Sequence, residues 1–287
     1  MTKLFFLFLF LHISFSVISQ DLANSLLWKI EGTDANKTSY LYGTIHMVKK
    51  EDFKIKKKVN NAFNTCTVLA LEINLNISLK DKMKLAMETL LPKGQNIKDF
   101  MSKKDFLRLR SYAIDSIHIS KKKFNKYIRL KPFFLSSVLI KESLGKIKSY
   151  DEEFYKMSSK KNMTNVGLEK IEEQLSLINK ISNKDQIMMM MEGIQKNNDN
   201  SFENLTNAYI KEDLITLNKI IINESADLKE FQFNFIEKRN RNWIPVIKKL
   251  IKDQNTFIAV GAGHLGGKNG LISLLRENGY NLVPVFK

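Results

Sequence analysis

Two apolar runs, one near each end of the chain, close on the same short pattern: Tyr40-Leu-Tyr-Gly-Thr-Ile-His46 and Phe257-Ile-Ala-Val-Gly-Ala-Gly-His-Leu265. Each reads as a buried strand that stops at glycines, where the backbone can turn sharply and present a lone imidazole. The chain carries four histidines in 287 residues, so two at matched positions stand out. The other two differ: His12 lies in a leader segment and His118 in a polar helix-to-loop stretch. A third run, Thr67-Val-Leu-Ala-Leu-Glu-Ile73, would be an ordinary core strand but for Glu72. A carboxylate buried near a strand end must be paired, bound to metal or protonated. Two imidazoles and a carboxylate meet that need as ligands of a divalent cation that keeps an open position for water. His46, Glu72 and His264 are therefore candidate metal ligands. Gly-x-x-His alone is short and recurs by chance; the strand context at both ends, with Glu72 following His46, is more specific.

The elements that must position these groups follow from periodicity. Leu26 to Gly32 and Ser39 to Ile45 read as a hairpin, joined by the polar turn Thr33 to Thr38. A helix around Phe53 to Asn64 leads into the Glu72 strand. From Ser78 to Tyr150 apolar residues recur at three and four, as in Met83, Leu85, Met87 and Leu90, which predicts a helical insert whose methionines and phenylalanines form core. A helix at Asp151 to Lys160, a strand at Asn165 to Leu168 and a helix from Lys170 to Ser182 come next. The run Met188-Met-Met-Met191 reads as core filling on a helix, because thioethers suit soft metals and no histidine or cysteine flanks it. Helices continue to Lys252, then a strand at Thr256 to Val260, a helix at Leu271 to Asn278 and a strand at Asn281 to Phe286. The sum is an α/β fold: one domain with a central mixed sheet formed from two pseudo-repeat halves, surrounded by many helices with a helical insert. Open α/β sheets place chemistry at the carboxyl edge of their strands.

At these residues the chain resembles the TraB/PrgY/GumN family, a group that also includes the animal TIKI proteins. Leu27-Trp28-Lys29-Ile30 with Tyr40 to His46 is similar to the family's opening hairpin, and Ala70-Leu-Glu72-Ile to its acidic strand. Val166-Gly-Leu-Glu169 with Glu173-Gln174 resembles its central strand and following helix. Arg239-Asn240, with Trp243 downstream, resembles the segment before the last strand. The stretch from Val260 through His264 to Tyr280 is the nearest match. The resemblance covers essentially everything after the leader. Lys170 departs from it, standing where the family often has threonine after the central glutamate, and this weakens a catalytic assignment of Glu169.

The resemblance implies a metal-dependent hydrolase acting on peptide bonds, with Mn or Co as readily as Zn. Glu169 would be a fourth ligand or the general base, and Glu72 a ligand or a base. Arg239 would neutralise a substrate carboxylate or a developing oxyanion, or else form a buried ion pair with Glu72 or Glu169. Two other readings stay open: a metal-independent, esterase-like hydrolase with a histidine base, and a non-catalytic protein that sequesters peptides.

Composition bounds the rest. Residues 1–19 read as a secretory signal peptide, with Lys3 ahead of a Phe/Leu-rich run and a cut near Gln20, so 20–287 is the mature domain and its location periplasmic or extracellular. Cys66 is the only cysteine and forms no disulfide within the chain; it reads as a small buried residue. The net charge of +16 comes from 40 lysines and only 6 arginines spread over many helices. That pattern argues against nucleic-acid binding and leaves a peptide or protein substrate as partner, with peripheral contact to anionic cell-envelope material and an undetermined oligomeric state.

Overall fold

The computed structural model describes residues 22–32, 37–196, 201–224 and 232–286. The expected signal peptide and most of the expected hairpin turn lie outside them. Six strands make the central sheet: β1 (Leu27–Glu31), β2 (Ser39–Thr44), β3 (Val68–Ile73), β4 (Thr164–Glu169), β5 (Thr256–Gly261) and β6 (Asn281–Pro284). Their order is β4-β3-β5-β2-β1-β6. The first four in that order run parallel, β1 is antiparallel to β2, and β6 is antiparallel to β1. The two Gly-x-x-His strands, more than 200 residues apart in sequence, are thus direct neighbours, with Tyr42 opposite Ala259 and Thr44 opposite Gly261.

Burial on both faces explains why these strands are apolar throughout rather than alternating. All but the last residue of β3 and of β5 are buried. The main core packs Trp28, Leu41, Phe63, Leu69, Phe154, Trp243 and Phe257 around the sheet. Among the helices against it are α1 (Lys57–Asn64), α6 (Tyr150–Lys160) and α11 (Lys238–Asp253). The first helix starts at Lys57 instead of Phe53, because Lys56 is still extended at φ −67° and ψ 151°.

The insert is helical as expected: α2 (Leu79–Glu88), α3 (Lys103–Ser111), α4 (Lys121–Tyr127) and α5 (Pro132–Leu144). It has a core of its own, built from Ile97, Leu109, Phe124 and Leu135 together with Ile187, Met190 and Met191 of α8 (Asn183–Lys196). The methionine run therefore fills core at two of its four positions, while Met188 is exposed. One expectation fails: Met83, Met87 and Leu90 are exposed, and α2 buries no residue. Its apolar spacing is right for a helix, but no part of the described chain covers that face. Among the described residues, no helix is long and apolar enough to cross a membrane.

Candidate active site at the carboxyl edge of the sheet

Because β2, β3, β4 and β5 are parallel, their carboxyl ends share one edge, and each delivers a polar group there. His46 follows β2 by two residues, Glu72 is the penultimate residue of β3, Glu169 ends β4, and His264 closes a short 3-10 turn after β5. Pairing of β3 with β5 is registered as far as Leu71 opposite Ala259. Beyond it the Glu72 side chain takes over, and its Oε1 accepts from the Gly261 N–H at 2.8 Å. Gly167 allows the chain leaving β3 to cross close by, since a Cβ there would meet the Asn74 backbone nitrogen at 2.6 Å.

The three residues proposed as ligands converge. His46 Nε2 lies 3.7 Å and His264 Nε2 3.8 Å from the same oxygen, Glu72 Oε1. Gly261 faces the space between them: a Cβ on it would sit 3.2 Å from Glu72 Oε1, 3.4 Å from His46 Nε2 and 3.7 Å from His264 Cδ2.

Both rings are oriented from behind. His264 Nδ1 lies 2.6 Å from Asn240 Oδ1, while the amide nitrogen of Asn240 donates to the His264 and Asn269 carbonyls. With Oδ1 as the acceptor, Nδ1 carries the proton and Nε2 presents its lone pair. His46 Nδ1 donates to Asp151 Oδ2 at 2.9 Å, and Asp151 is itself fixed by the Thr44 hydroxyl, which donates to Oδ1 at 3.0 Å. Carboxylate or carbonyl partners on the far ring nitrogen are the usual support for a metal-binding imidazole.

Arg239, in the first turn of α11, ties the acidic side together. Its Nη2 donates to Glu72 Oε2 and to Glu169 Oε1, both at 2.5 Å, and Nε donates to Glu169 Oε1 at 2.9 Å. Nη1 donates to the Phe235 carbonyl at 2.9 Å and faces His264 Nε2 at 3.3 Å. All five guanidinium N–H groups thus have partners inside the protein, and the planar fork stacks 4.7 Å over Trp243, which also packs on the His264 ring. Gln174 completes the network by donating to Glu169 Oε1 at 2.8 Å.

The electrostatics sort the two histidines. Burial drives His264 down to about 3, reinforced by Arg239 and His46 against the pull of Glu72, so the ring is neutral. For His46 enclosure also works downward, but the hydrogen bond to Asp151 and the Glu72 carboxylate outweigh it and raise it to about 9. The His46 side chain sits at the mouth, 63% exposed, so solvent softens the desolvation and the two carboxylates win. Burial alone would push Glu72 up; His264, His46, Arg239 and the Gly261 N–H hold it down at about 2. With His264 neutral, the physical weight of that stabilisation falls on His46, Arg239 and the Gly261 amide.

Two imidazoles and a carboxylate are donor types that a divalent cation takes. Ligand bonds of about 2.1 Å at tetrahedral angles put donor atoms roughly 3.4 Å apart, and the two separations to Glu72 Oε1 are a few tenths wider. Among the described residues no group of three His, Cys, Asp or Glu side chains is placed so as to hold a metal ion. The long Arg239 contact to His264 Nε2 would have to yield as they close. The site opens into a cleft of about 330 Å³ lined by His46, Glu72, Asp151, Glu152 and Gln174, with Leu71, Ile73 and Leu75 supplying an apolar side.

The structure thus brings together all five residues singled out from sequence, and adds Asp151, Asn240, Gln174 and Gly261. Asp151 was missed as a site residue because Asp151-Glu152-Glu153 reads as generic acid in the first turn of a helix, 105 residues from its histidine. Cys66 is buried, with its thiol pushed up to about 12 by burial, and takes no part.

A model of the TraB/PrgY/gumN family matches residues 26–284 of this chain. Metalloprotease TIKI1 of Danio rerio is 24% identical over 315 residues, covering 90% of this chain and 63% of that protein. Metalloprotease TIKI2 of Xenopus tropicalis is 23% identical over 320 residues, covering 92% and 60% respectively. The chain therefore spans about three fifths of the length of these relatives. No solved structure gives a significant match.

Proposed function

The chain belongs to the TraB/PrgY/gumN family, and on that footing we propose that it is a metal-dependent hydrolase of peptide bonds, with His46, Glu72 and His264 holding the cation. The observation that carries this reading is the convergence of two imidazole Nε2 atoms and one carboxylate oxygen on the space in front of Gly261, each ring pinned from behind; a cation held there takes the place of the Nε2 proton of His46. The names of the relatives, which are metalloproteases, point the same way. A cation there, Mn, Co or Zn, supplies Lewis acidity and lowers the pKa of a nucleophilic water.

The chain's own residues then divide the work. Asn240 fixes the tautomer of His264, and Asp151 fixes that of His46. Arg239 and Glu169 act together as an ion pair that sets the position of Glu72, while the Nη1–H that faces His264 Nε2 is the one guanidinium donor freed for a substrate carboxylate or oxyanion when that nitrogen takes a cation. Leu71, Ile73 and Leu75 offer an apolar wall to a substrate side chain. The charge states disfavour a histidine base working without metal: His46 is held protonated near neutral pH, and His264 is neutral but buried.

Metal analysis of the purified protein beside His46→Ala and His264→Ala, coupled to hydrolysis of a mixed peptide library with added Mn, Co or Zn, tests this reading. Both variants lose bound metal and nearly all turnover. Glu72→Gln separates roles: lost metal marks a ligand, whereas retained metal with lost rate marks a base. Full ester hydrolysis in chelator would replace the metal mechanism with a histidine one, and tight peptide binding without turnover under any metal would make the protein a sequestering one. Export, to the periplasm or outside the cell, is inferred from the Lys3 and Phe/Leu leader. N-terminal sequencing of the protein recovered from its host gives a start within a few residues of Gln20, and recovery of the intact chain in the cytoplasm would refute it.

A further inference from the structure

We propose that α2 is a docking surface for an anionic lipid bilayer. The helix is capped locally, with the Ser78 hydroxyl accepting from the Asp81 N–H, yet none of its ten residues is buried. Leu79, Met83 and Met87 are 74%, 62% and 72% exposed, and Leu90 just beyond the helix is also exposed. At about 100° per residue Leu79, Met83, Ala86 and Met87 fall on a single stripe. Together with Lys80, Lys84 and Glu88, three of them line a shallow concavity of about 660 Å³ that faces outward.

The charges around the stripe choose the occupant. By the same helical spacing Lys80 and Lys84 border it on one side and Lys82 on the other, Asp81 falls on the far face, and Glu88 is the one carboxylate at the rim of the concavity, against the two lysines that also line it. Long lysine stems lie along apolar surface and lift their ammonium groups to the level of lipid phosphates, so an apolar stripe with lysine borders matches an interface of acyl chains and anionic headgroups. A second copy of the chain fits poorly: pairing two such stripes would bring lysine borders against each other. An apolar peptide fits poorly too, since the shallow concavity is lined by residues of one helix alone and has no second wall. The net charge of +16 adds long-range attraction to an anionic surface. Only three residues lie between Leu79 and Leu75 of the cleft wall, a span of at most about 14 Å. A docked α2 therefore keeps the cleft close to the membrane.

Two measurements on the full chain test this. In the first, Met87→Cys is labelled with a polarity-sensitive fluorophore; Cys66 is buried and stays unlabelled. Vesicles mixing phosphatidylglycerol with phosphatidylcholine shift the emission to the blue, and pure phosphatidylcholine vesicles do not. In the second, Met83→Gln/Met87→Gln, which leaves every charge in place, weakens partition of that label's depth signal, read from a Leu79→Cys site, by roughly tenfold or more. The proposal falls if the label stays in water while the protein binds vesicles, since binding then runs through another segment. It falls equally if neutral and anionic vesicles give the same shift, or if the methionine substitutions change nothing. A blue shift that grows with protein concentration in the absence of lipid would assign the stripe to a second copy instead.

Discussion

The carboxyl edge of the sheet and the α2 face of the insert invert each other's chemistry. At the sheet edge Glu72, Arg239, Asn240 and His264 are polar or charged and buried, and each is held by named partners. On α2 the apolar side chains lie in water and the helix contributes nothing to either core. Burying a charge is costly and leaving leucine and methionine exposed forfeits hydrophobic stabilisation, so neither arrangement is what folding alone would select. Both are places where the chain gives up stability. The difference lies in what completes them: partners within the protein at the edge, and a surface outside it at α2.

The largest effect expected from this contrast is on Arg239. Removing it leaves Glu169 buried without its counter-ion and Glu72 with only the exposed His46 ring, and breaking such a pair costs about 3–5 kcal/mol. Denaturant unfolding of Arg239→Ala therefore moves to a much lower midpoint, whereas Arg239→Lys, which keeps the charge but not the planar fork, recovers part of the loss. An Arg239→Ala protein as stable as its parent would mean that the acidic edge is solvated in the folded state.

Gly261→Ala separates function from folding at the same edge. The residue sits at φ −51° and ψ 135°, which alanine adopts without strain, so stability changes by less than about 1 kcal/mol. The new methyl nevertheless enters the space shared by Glu72 Oε1 and His46 Nε2. Turnover of the peptide library falls by about 100-fold or more, because the methyl occupies the space that the reacting groups share and pushes Glu72 out of place. Unchanged turnover would move the chemistry away from that space.

How much of this was legible in sequence depends on the range of the signal. The strands, the insert and the convergence of His46, Glu72 and His264 were readable because apolar runs of strand length ending on glycine specify both a buried strand and its exit. Arg239 and Glu169 were found through family resemblance. Asp151 was not found, since its role depends on α6 being laid beside β2, a tertiary fact with no local trace. The exposure of α2 was misread for a related reason. Helical periodicity shows that an apolar stripe exists and says nothing about which surface meets it.

Asp151→Asn sharpens the edge further. The amide still holds the ring but removes the carboxylate that keeps His46 oriented and basic, and loss of such a partner weakens metal binding by about 10–100-fold. The same variant tests the pH dependence of chelator-treated protein. His46 has a folded pKa of about 9 against an ordinary 6.5, so its contribution to stability is full below 6.5 and is lost as pH rises through about 9. Glu72 and His264 act on the acid side. Glu72 is held at about 2 against an ordinary 4.5, and its contribution is present above 4.5 and lost as pH falls toward 2. His264, held at about 3, refuses a proton that the unfolded chain accepts below 6.5, so acid destabilises it as well. Thermal midpoints measured across pH therefore fall on both limbs, and Asp151→Asn flattens the alkaline limb alone.

The smallest effect belongs to α2, and its smallness is the point. Met83→Gln/Met87→Gln exchanges side chains that are mostly in water for polar ones of similar length, and surface substitutions of this kind change stability by about 0.5 kcal/mol or less. Thermal unfolding and peptide turnover in lipid-free buffer match the parent, because neither core and no site residue touches that stripe. A loss of several degrees in the midpoint would show that the stripe packs against the protein. The contrast with Arg239 would then collapse, since both regions would be held from within and α2 would have nothing left to offer a membrane.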